Sequence, residues 1–228
     1  MHVSRETPPP GWNPWERLTR EQQEQLACYA RLLEALNRQH NLVSRETLAE
    51  LHRRHLLHCL ALTWRPFPPG SVVVDWGTGG GLPAIPLAIA FPEITVHAVD
   101  AVQKKVLAVR TMARRLGLTN LQAHHARAER WERDAHYSVS RATAPLATLW
   151  TWHHRVAQPL ATPPDAWPPG LLTLKGGDLS DELAALEQLD PCLHVTLWPL
   201  NQLLDDPFFA EKYLIHVASE PDLPASVR

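Results

Sequence analysis

The feature that most constrains the fold is the run from Val72 to Ile89, where a β-branched stretch, a glycine-rich loop and an apolar stretch come in direct succession. Three valines lead into Asp75, and four of the five residues in Gly77–Gly81 are glycines. This order is typical of a strand, a tight turn and a helix, the unit on which nucleoside cofactors are held. Glycines suit such a turn because they adopt positive φ angles and let a ligand approach bare backbone. The helix adds unpaired N–H groups at its start.

Details of the loop narrow the choice of ligand. A triphosphate loop needs a Lys-Ser/Thr pair after its last glycine, but Leu82 and a proline stand here, and the glycine spacing is not G-x-G-x-x-G. Asp75 ends the first strand, where it can reach the amino-acid end of a ligand. Asp100 ends the next strand, where it can accept both ribose hydroxyls. These acids and the loop glycines, Gly77, Gly79 and Gly81, fit S-adenosylmethionine best. Another nucleotide, or a loop that serves packing alone, stays an alternative.

The rest of the chain predicts an α/β domain preceded by helices. A capping box at Thr19–Gln22 opens a helix to about Arg38, and a second helix is expected over 47–62. Alternating strands and helices then predict a mostly parallel, seven-stranded sheet. We divide the chain into a Pro-rich flexible tail (1–18), a helical extension (19–65) and a Rossmann-like domain (71–228). The predicted strands are 71–75, 94–100, 120–124, 137–141, 171–175 and an antiparallel edge pair, 193–200 with 212–219; the intervening helices are 84–91, 102–117, 145–158 and 178–188.

Charge is distributed unevenly although the net charge is only −2. From Lys104 to Arg141 there are nine basic and three acidic residues, whereas from Gly176 onward ten acidic residues face two basic ones. A basic region beside the cofactor loop predicts binding of nucleic-acid phosphates, with solvated helix faces as the alternative. The three cysteines argue against a disulfide framework, and no long apolar run or leader pattern is present. We therefore expect a cytoplasmic protein that neither spans nor binds a membrane.

The ends of the predicted strands supply further candidates, because ligands bind at the carboxyl ends of parallel strands. Ala128 and Glu129, after the third strand, are placed to frame an adenine. Arg141 and Lys175 end the fourth and fifth strands, where they would face an entering substrate. His52, His55 and Cys59 share one helical stripe but lack a fourth ligand, so we expect no metal site. Trp76, inside the loop, is a further candidate for ligand contact.

These residues resemble the RsmG/GidB family of methyltransferases, which methylate guanine N7 in bacterial small-subunit (16S) ribosomal RNA. The resemblance extends from about Tyr29 to Lys212 and is quite specific in combination. Five positions depart from the family pattern, namely Leu36, His58, Trp76, Ala84 and Ser138. The motifs that support the resemblance are Asn37-x-x-x-Asn41-Leu42, Arg54-His55, Val74-Asp75-x-Gly-Thr-Gly-x-Gly-Leu-Pro-x-Ile-Pro-Leu-Ala, Asp100-x-x-x-Lys104, Leu116-Gly-Leu, Arg127-Ala-Glu129, Ser140-Arg-Ala142 and Leu174-Lys-Gly176.

The resemblance implies roles for individual residues. Gly77, Leu82, Ala128 and Glu129 would line the cofactor pocket, and Arg141 would reach both cofactor and target. Asn41, Lys104 and Lys175 would be polar residues on the substrate side. With Arg141, we take these three as the candidate catalytic set: Arg141 positions the base or its phosphate, the lysines neutralise backbone charge, and Asn41 contacts RNA or locks the helices.

The chemistry implied by the resemblance needs no general base, because guanine N7 carries a free lone pair. The protein must supply in-line approach, a dry pocket and a place for an extruded purine. The expected partner is 16S ribosomal RNA or a small-subunit particle, and the expected state is a monomer. Two alternatives stay open: a methyltransferase of this fold with another substrate, and a catalytically silent cofactor- and RNA-binding protein.

Overall fold

The computed structural model describes residues 1–6, 12–44, 48–141, 143–204 and 206–219. Its centre is one eight-stranded sheet built from β1 (His2–Arg5), β2 (Val72–Trp76), β3 (Thr95–Asp100), β4 (Leu121–His125), β5 (Tyr137–Arg141), β6 (Gly170–Gly176), β7 (Leu193–Pro199) and β8 (Lys212–Ser219). The strands lie in the order β1-β7-β8-β6-β5-β2-β3-β4.

Strands β2 to β6 form the parallel part of the sheet, as the alternating pattern predicted. β2 lies between β3 and β5, so the strand order reverses beside β2 and leaves a crevice at the carboxyl ends there. β8 is inserted between β6 and β7 and runs antiparallel to both. The predicted antiparallel pairing of the last two strands is therefore confirmed.

The chain start differs from the prediction. His2–Arg5 pairs in parallel with β7, from His2 opposite His194 to Arg5 opposite Leu197, so the sheet has eight strands rather than seven. Pro14–Arg17 forms a 3-10 helix capped by Asn13, and so part of the expected flexible tail is structured. The physical reason is that β7 would otherwise expose an unpaired row of N–H and C=O groups. Residues 7–11 lie outside the described residues.

Seven α-helices can be assigned within the described ranges: α1 (Arg20–His40), α2 (Leu56–Leu60), α3 (Ala84–Ala90), α4 (Gln103–Arg115), α5 (Leu146–Val156), α6 (Ser180–Leu189) and α7 (Leu200–Leu204). One apolar core packs α1 to α4 against one face of the sheet, and a second packs α5 and α6 against the other. The N-terminal helices therefore share a core with the sheet, while the domain boundaries stay a prediction. No helix within these ranges combines the length and apolarity needed to cross a membrane.

Helix α1 begins and ends as its sequence directs. The Thr19 hydroxyl accepts the Gln22 N–H, and the Gln22 side chain accepts the Thr19 N–H, which completes the predicted capping box. At the other end Asn41 adopts a left-handed conformation, with φ of 48°, and closes the helix. The start of the second predicted helix, at residue 47, lies outside the described residues. Further along, a π-helical turn at Leu51–His55 leads into α2 and a 3-10 turn at Ala61–Trp64.

Candidate functional site

A cavity of about 480 Å³ opens at the carboxyl ends of β2, β3, β4 and β5. It lies at the crevice where the strand order reverses. Of the predicted cofactor-binding residues it brings together Gly77, Gly79, Leu82, Asp100, Ala128, Glu129 and Arg141. Gly81 and Asp75 do not line it, and neither do Asn41, Lys104 or Lys175.

The glycine loop forms one wall of the cavity. Gly77, Gly79 and Gly81 have φ angles of 72°, 57° and 93°, which glycine alone adopts without strain. A Cβ on Gly77 would lie 2.4 Å from Cγ2 of Thr143, so the Thr143 side chain packed against the loop also favours glycine there. A Cβ on Gly81 would lie 2.6 Å from Cδ1 of Ile85. Gly81 is therefore a turn and packing residue rather than a cavity residue.

Helix α1 supports this loop from behind. The hydroxyl of Tyr29, fully buried, donates to the Gly80 carbonyl at 2.9 Å. Burial raises the pKa of Tyr29 well above its usual value, so the hydroxyl stays protonated and remains a donor. The Asn37 side chain, also buried, accepts the Val43 N–H at 2.9 Å and thereby fixes a turn that lines the cavity next to the glycine loop. Sequence reasoning assigned neither residue a role, although Asn37 stood in one of the motifs.

Asp100 lies in the cavity wall and holds the loop in place. Its Oδ2 accepts the Gly79 N–H at 3.0 Å, and its Oδ1 accepts the Val102 N–H at 2.8 Å. A carboxylate has about four lone-pair positions, so two backbone hydrogen bonds leave acceptor capacity for hydroxyl groups. Asp100 therefore lines the cavity with acceptor positions to spare, and its contact with ribose hydroxyls stays a prediction.

Asp75 differs from its expected role because it is fully buried beneath the loop. Its Oδ2 accepts the Ala84 N–H at the start of α3, at 3.1 Å. Burial raises the pKa of Asp75 to about 7, and the Thr78 hydroxyl and the Ala84 N–H, which favour the carboxylate, offset this only in part. Asp75 thus ties the loop to the helix and does not contact the cavity directly.

The opposite wall is the 3-10 turn Ala128–Arg130, where Ala128 and Glu129 line the cavity as predicted. Arg155, in the last turn of α5, donates to the carbonyl oxygens of Ala128, Glu129 and Trp131. One guanidinium thereby holds the whole turn. Nothing in the sequence connected Arg155 with residues so far away along the chain.

Arg141 lines the cavity and is held by His55. Nη1 of Arg141 donates to Nδ1 of His55 at 2.7 Å, and because a guanidinium has only donors, Nδ1 must be unprotonated. Burial and the Arg141 charge lower the pKa of His55 to about 4, so the imidazole is neutral near pH 7. His55, one of the three residues considered above as metal ligands, thus serves as the acceptor for Arg141. Within the described residues, no cluster of His, Cys, Asp and Glu side chains could hold a metal ion.

The structure places the three other substrate-side candidates away from the cavity. Lys175 is buried, and its ammonium donates to the Ala144 carbonyl at 2.6 Å and to both Glu182 oxygens, at 2.6 and 3.0 Å. Glu182 also accepts the Leu146 N–H at 2.7 Å, so this pair fixes the start of α5. Lys104 is exposed on the first turn of α4, whereas its neighbour Lys105 lines the cavity. Asn41 is exposed as the cap of α1.

The tryptophan that lines the cavity is Trp152 rather than Trp76. Trp76 is fully buried in the core, and its ring lies 6.1 Å from that of Trp152 and 6.4 Å from that of Trp131. Trp76 is therefore a core residue rather than a residue of the cavity wall. Trp76 supports the site through its carbonyl, which accepts hydrogen bonds from Ser140 and Thr143.

Comparison with known proteins places this geometry in a family. The model of the GidB family, described as rRNA small subunit methyltransferase G, matches residues 22–195. A ribosomal RNA small subunit methyltransferase G from Salinibacter ruber is 58% identical over 210 residues, covering 91% of this chain and 98% of the relative. The chain belongs to the GidB family. A relative of the same name from Bacteroides fragilis is 39% identical over 202 residues, covering 88% of this chain and 94% of the relative.

Among solved structures, a SAM dependent methyltransferase from Aquifex aeolicus shares the fold of this GidB family member. The TM-score is 0.54 at 15% identity, covering 77% of this chain and 98% of that chain. The predicted Rossmann-like methyltransferase fold is therefore confirmed, with the eighth strand as an addition.

The departures from the GidB pattern all lie in packed positions. Ser138 Oγ contacts Nδ1 of His153 at 2.9 Å in the core, and Ala84 lies at the start of α3 with no exposed surface. Leu36 is partly buried against the main core. Burial lowers the pKa of His58 well below its usual value, so His58 is neutral, and its ring lies 5.7 Å from that of Phe209. With Trp76 in the core as well, none of these changes removes a residue from the cavity.

Proposed function

We propose that this protein transfers a methyl group from S-adenosylmethionine to N7 of a guanine in 16S ribosomal RNA. Membership of the GidB family supports the proposal, since its relatives have the name ribosomal RNA small subunit methyltransferase G. The observation that carries the proposal is the joint placement of Asp100, the glycine loop and Arg141 around one cavity. A nucleoside and a target base could then meet there.

The residues of the cavity fit the cofactor chemically. The spare acceptor capacity of Asp100 suits ribose hydroxyls, and the Ala128–Glu129 turn with Val99 and Leu82 offers an apolar wall and backbone groups for an adenine. Gly77 and Gly79 let the ligand approach the backbone. When bound, the cofactor supplies an electrophilic methyl group on a sulfonium.

On the target side, Arg141 acts as the donor that orients the guanine or its phosphate. His55 prevents the guanidinium from rotating away, because the Nδ1 acceptor holds Nη1 and leaves the other N–H groups free. Guanine N7 reacts through its own lone pair, so no side chain has to remove a proton. The lining acids, Asp100 and Glu129, need not act as bases, and positioning supplies the rate gain.

The remaining candidates have positioning or peripheral roles in this proposal. Lys175 positions the start of α5 through Glu182 instead of touching substrate. Lys104 is free to approach RNA phosphates outside the cavity, while Lys105 does so within it. Asn41 ends α1 in a left-handed conformation just before the cavity residues Leu42 to Ser44, and its exposed side chain is accessible to RNA.

Methyl transfer from labelled cofactor to unmodified 16S RNA and to small-subunit particles tests the proposal, with the modified nucleotide mapped by primer extension after cleavage at 7-methylguanine. We expect modification of one guanine, and an Arg141→Ala variant should lose most of the transfer while it still binds S-adenosylhomocysteine. Modification of a different RNA would favour the same-fold alternative, and cofactor binding without any transfer would favour the silent alternative.

Two further properties belong to the proposal. We infer that the protein works as a monomer in the cytoplasm, where ribosomal RNA is modified and where its free cysteines, Cys28, Cys59 and Cys192, stay reduced. Light scattering during size-exclusion chromatography should give the mass of one chain, 25.7 kDa. A concentration-independent dimer would contradict the inference.

A further inference from the structure

A second group of cations lies beside the Arg141–His55 pair, on elements that are far apart in the sequence. Arg54 precedes His55 in the π-helical turn, Lys212 begins β8, and Phe208 lies in the 3-10 turn Pro207–Phe209. The guanidinium carbon of Arg54 lies 4.1 Å from the centre of the Phe208 ring, and Nζ of Lys212 lies 4.2 Å from the same point. One aromatic ring therefore holds two cations by cation–π contacts.

This group shares the carboxyl-end edge of the sheet with the cavity. Lys212 pairs with Gly176 on one side of β6, and Arg141 pairs with Leu174 on its other side. The strands of Arg141 and Lys212 are thus two strand spacings apart, about 10 Å. The charges of Arg141, Arg54 and Lys212 all act on the pKa of His55, which places three cations around one neutral imidazole.

Carboxylates neutralise this group only in part. Arg54 forms an ion pair with Glu50 at 3.2 Å, in which both side chains remain about one-third exposed, at 33% and 39%. Lys212 donates to the Phe208 carbonyl at 3.1 Å and, within the described part of the chain, makes no ion pair with a carboxylate. Asp206, two residues before Phe208, accepts the Phe208 N–H with Oδ1 at 2.9 Å. The Lys212 ammonium thus has no ion-pair partner among the described residues, and the Arg54–Glu50 pair stays accessible to water.

We propose that Arg54 and Lys212, held by Phe208, bind a phosphate of the RNA backbone beside the target guanine. The inference rests on the proposed function and adds a contact to that same site. Arginine and lysine are the usual partners of phosphate, and such contacts set the register of a nucleic acid without reading its sequence. A pre-positioned pair of cations loses less side-chain freedom on binding. Arg141 would then contact the target guanine, and Arg54 with Lys212 would contact a neighbouring phosphate. The RNA strand would be held at two points beside the cavity.

The test is the salt dependence of RNA binding, measured by fluorescence anisotropy with a 16S RNA fragment and saturating S-adenosylhomocysteine. Loss of one phosphate contact in Lys212→Gln or Arg54→Gln should lower the slope of log K against log [salt] by about 0.7, the value for single strands. KM for RNA should rise while kcat changes little. Lys212→Arg should keep the wild-type slope, and Phe208→Leu, which loosens both cations without removing a charge, should raise the Kd for RNA.

Arg20→Gln is the matched control, because Arg20 is exposed at the start of α1 and forms an ion pair with Glu24 on the same helix, at 3.0 Å. Unchanged S-adenosylhomocysteine affinity shows that each variant is folded. If Arg54→Gln misfolds, the salt dependence of RNA binding by Lys212→Gln alone tests the phosphate site. A wild-type slope in Lys212→Gln, together with wild-type RNA affinity in Phe208→Leu, would overturn the phosphate site while RNA methylation by the wild type stands. A wild-type protein that methylates no RNA would overturn the proposed function and the site with it.

Discussion

Replacing Gly77 with alanine probes how the cofactor loop is built. Gly77 has a φ of 72°, and a Cβ there would lie 2.4 Å from Cγ2 and 2.7 Å from Oγ1 of Thr143. Thr143 cannot rotate away freely, because Oγ1 donates to the Trp76 carbonyl at 2.9 Å. The new methyl group therefore meets both an unfavourable backbone conformation and a fixed neighbour.

The two costs can be sized separately. A left-handed conformation costs a residue with a Cβ about 1–2 kcal/mol. Overpacking a fixed contact adds a cost of about 1–3 kcal/mol. We therefore expect Gly77→Ala to lower the free energy of unfolding by about 2–5 kcal/mol, a large part of the stability of an ordinary domain. Because Gly77 also lines the cavity, S-adenosylhomocysteine affinity should fall with it.

Urea unfolding measures the first effect and calorimetry the second. Gly70→Ala is the matched control, because Gly70 has a φ of 78° but a Cβ there would have no atom within 4 Å, so it reports the backbone cost alone. Thr143→Ala, combined with Gly77→Ala in a double-mutant cycle, should recover part of the packing cost. Equal losses in Gly77→Ala and Gly70→Ala, together with zero coupling to Thr143, would refute the reasoning.

Three further predictions concern groups beneath and beside the cavity. Tyr29→Phe leaves the buried Gly80 carbonyl without its donor, so urea unfolding should show a loss of about 1–3 kcal/mol, and an unchanged midpoint would contradict this. The pKa of Asp75 is raised from 3.8 to about 7 by burial, so its protonated form stabilises the fold at low pH and that stability is lost as pH rises through 7. Asp75→Asn should thus gain stability relative to the wild type as pH rises from about 4 to about 7, and a pH-independent difference over that window would count against it. His55→Ala should lower kcat for RNA with S-adenosylhomocysteine affinity intact, and His55→Gln, which keeps an acceptor for Arg141, should restore part of it. Equal activity of His55→Ala and wild type would show that the guanidinium needs no support.

The fold was largely predictable because each buried strand is an apolar run bounded by turn residues. The parallel strands, the helices between them and the antiparallel final pair all follow from that pattern. β1 was missed because four residues beside a proline-rich stretch offer no periodicity of their own. Its stability comes from the open edge of β7, which only the assembled sheet reveals.

The part of the site built from strand ends and the glycine loop was also predictable, as Asp100, Glu129 and Arg141 show. The supporting contacts were not, because they join residues far apart in sequence: Tyr29 to Gly80, Arg155 to Ala128, and His55 to Arg141. A helical rotation of about 100° per residue explains why the sequence did not single out the cavity lysine. Lys105 faces the cavity and Lys104 does not, and only the docking of α4 decides between them.

The position of Lys212 shows why counting charge along the chain misplaced part of the basic surface. Lys212 belongs to the acidic C-terminal stretch, yet it begins an antiparallel strand whose first residue lies opposite Gly176, at the carboxyl end of β6. At this edge of the sheet parallel strands contribute their last residues, and an antiparallel strand contributes its first. The cations at the substrate edge must therefore be sought at the ends of β5 and β6 and at the start of β8. By that criterion Arg141, Lys175 and Lys212 share one edge. Because Lys175 is paired with Glu182, the cations left at this edge for an anionic substrate, within the described residues, are Arg141 and Lys212.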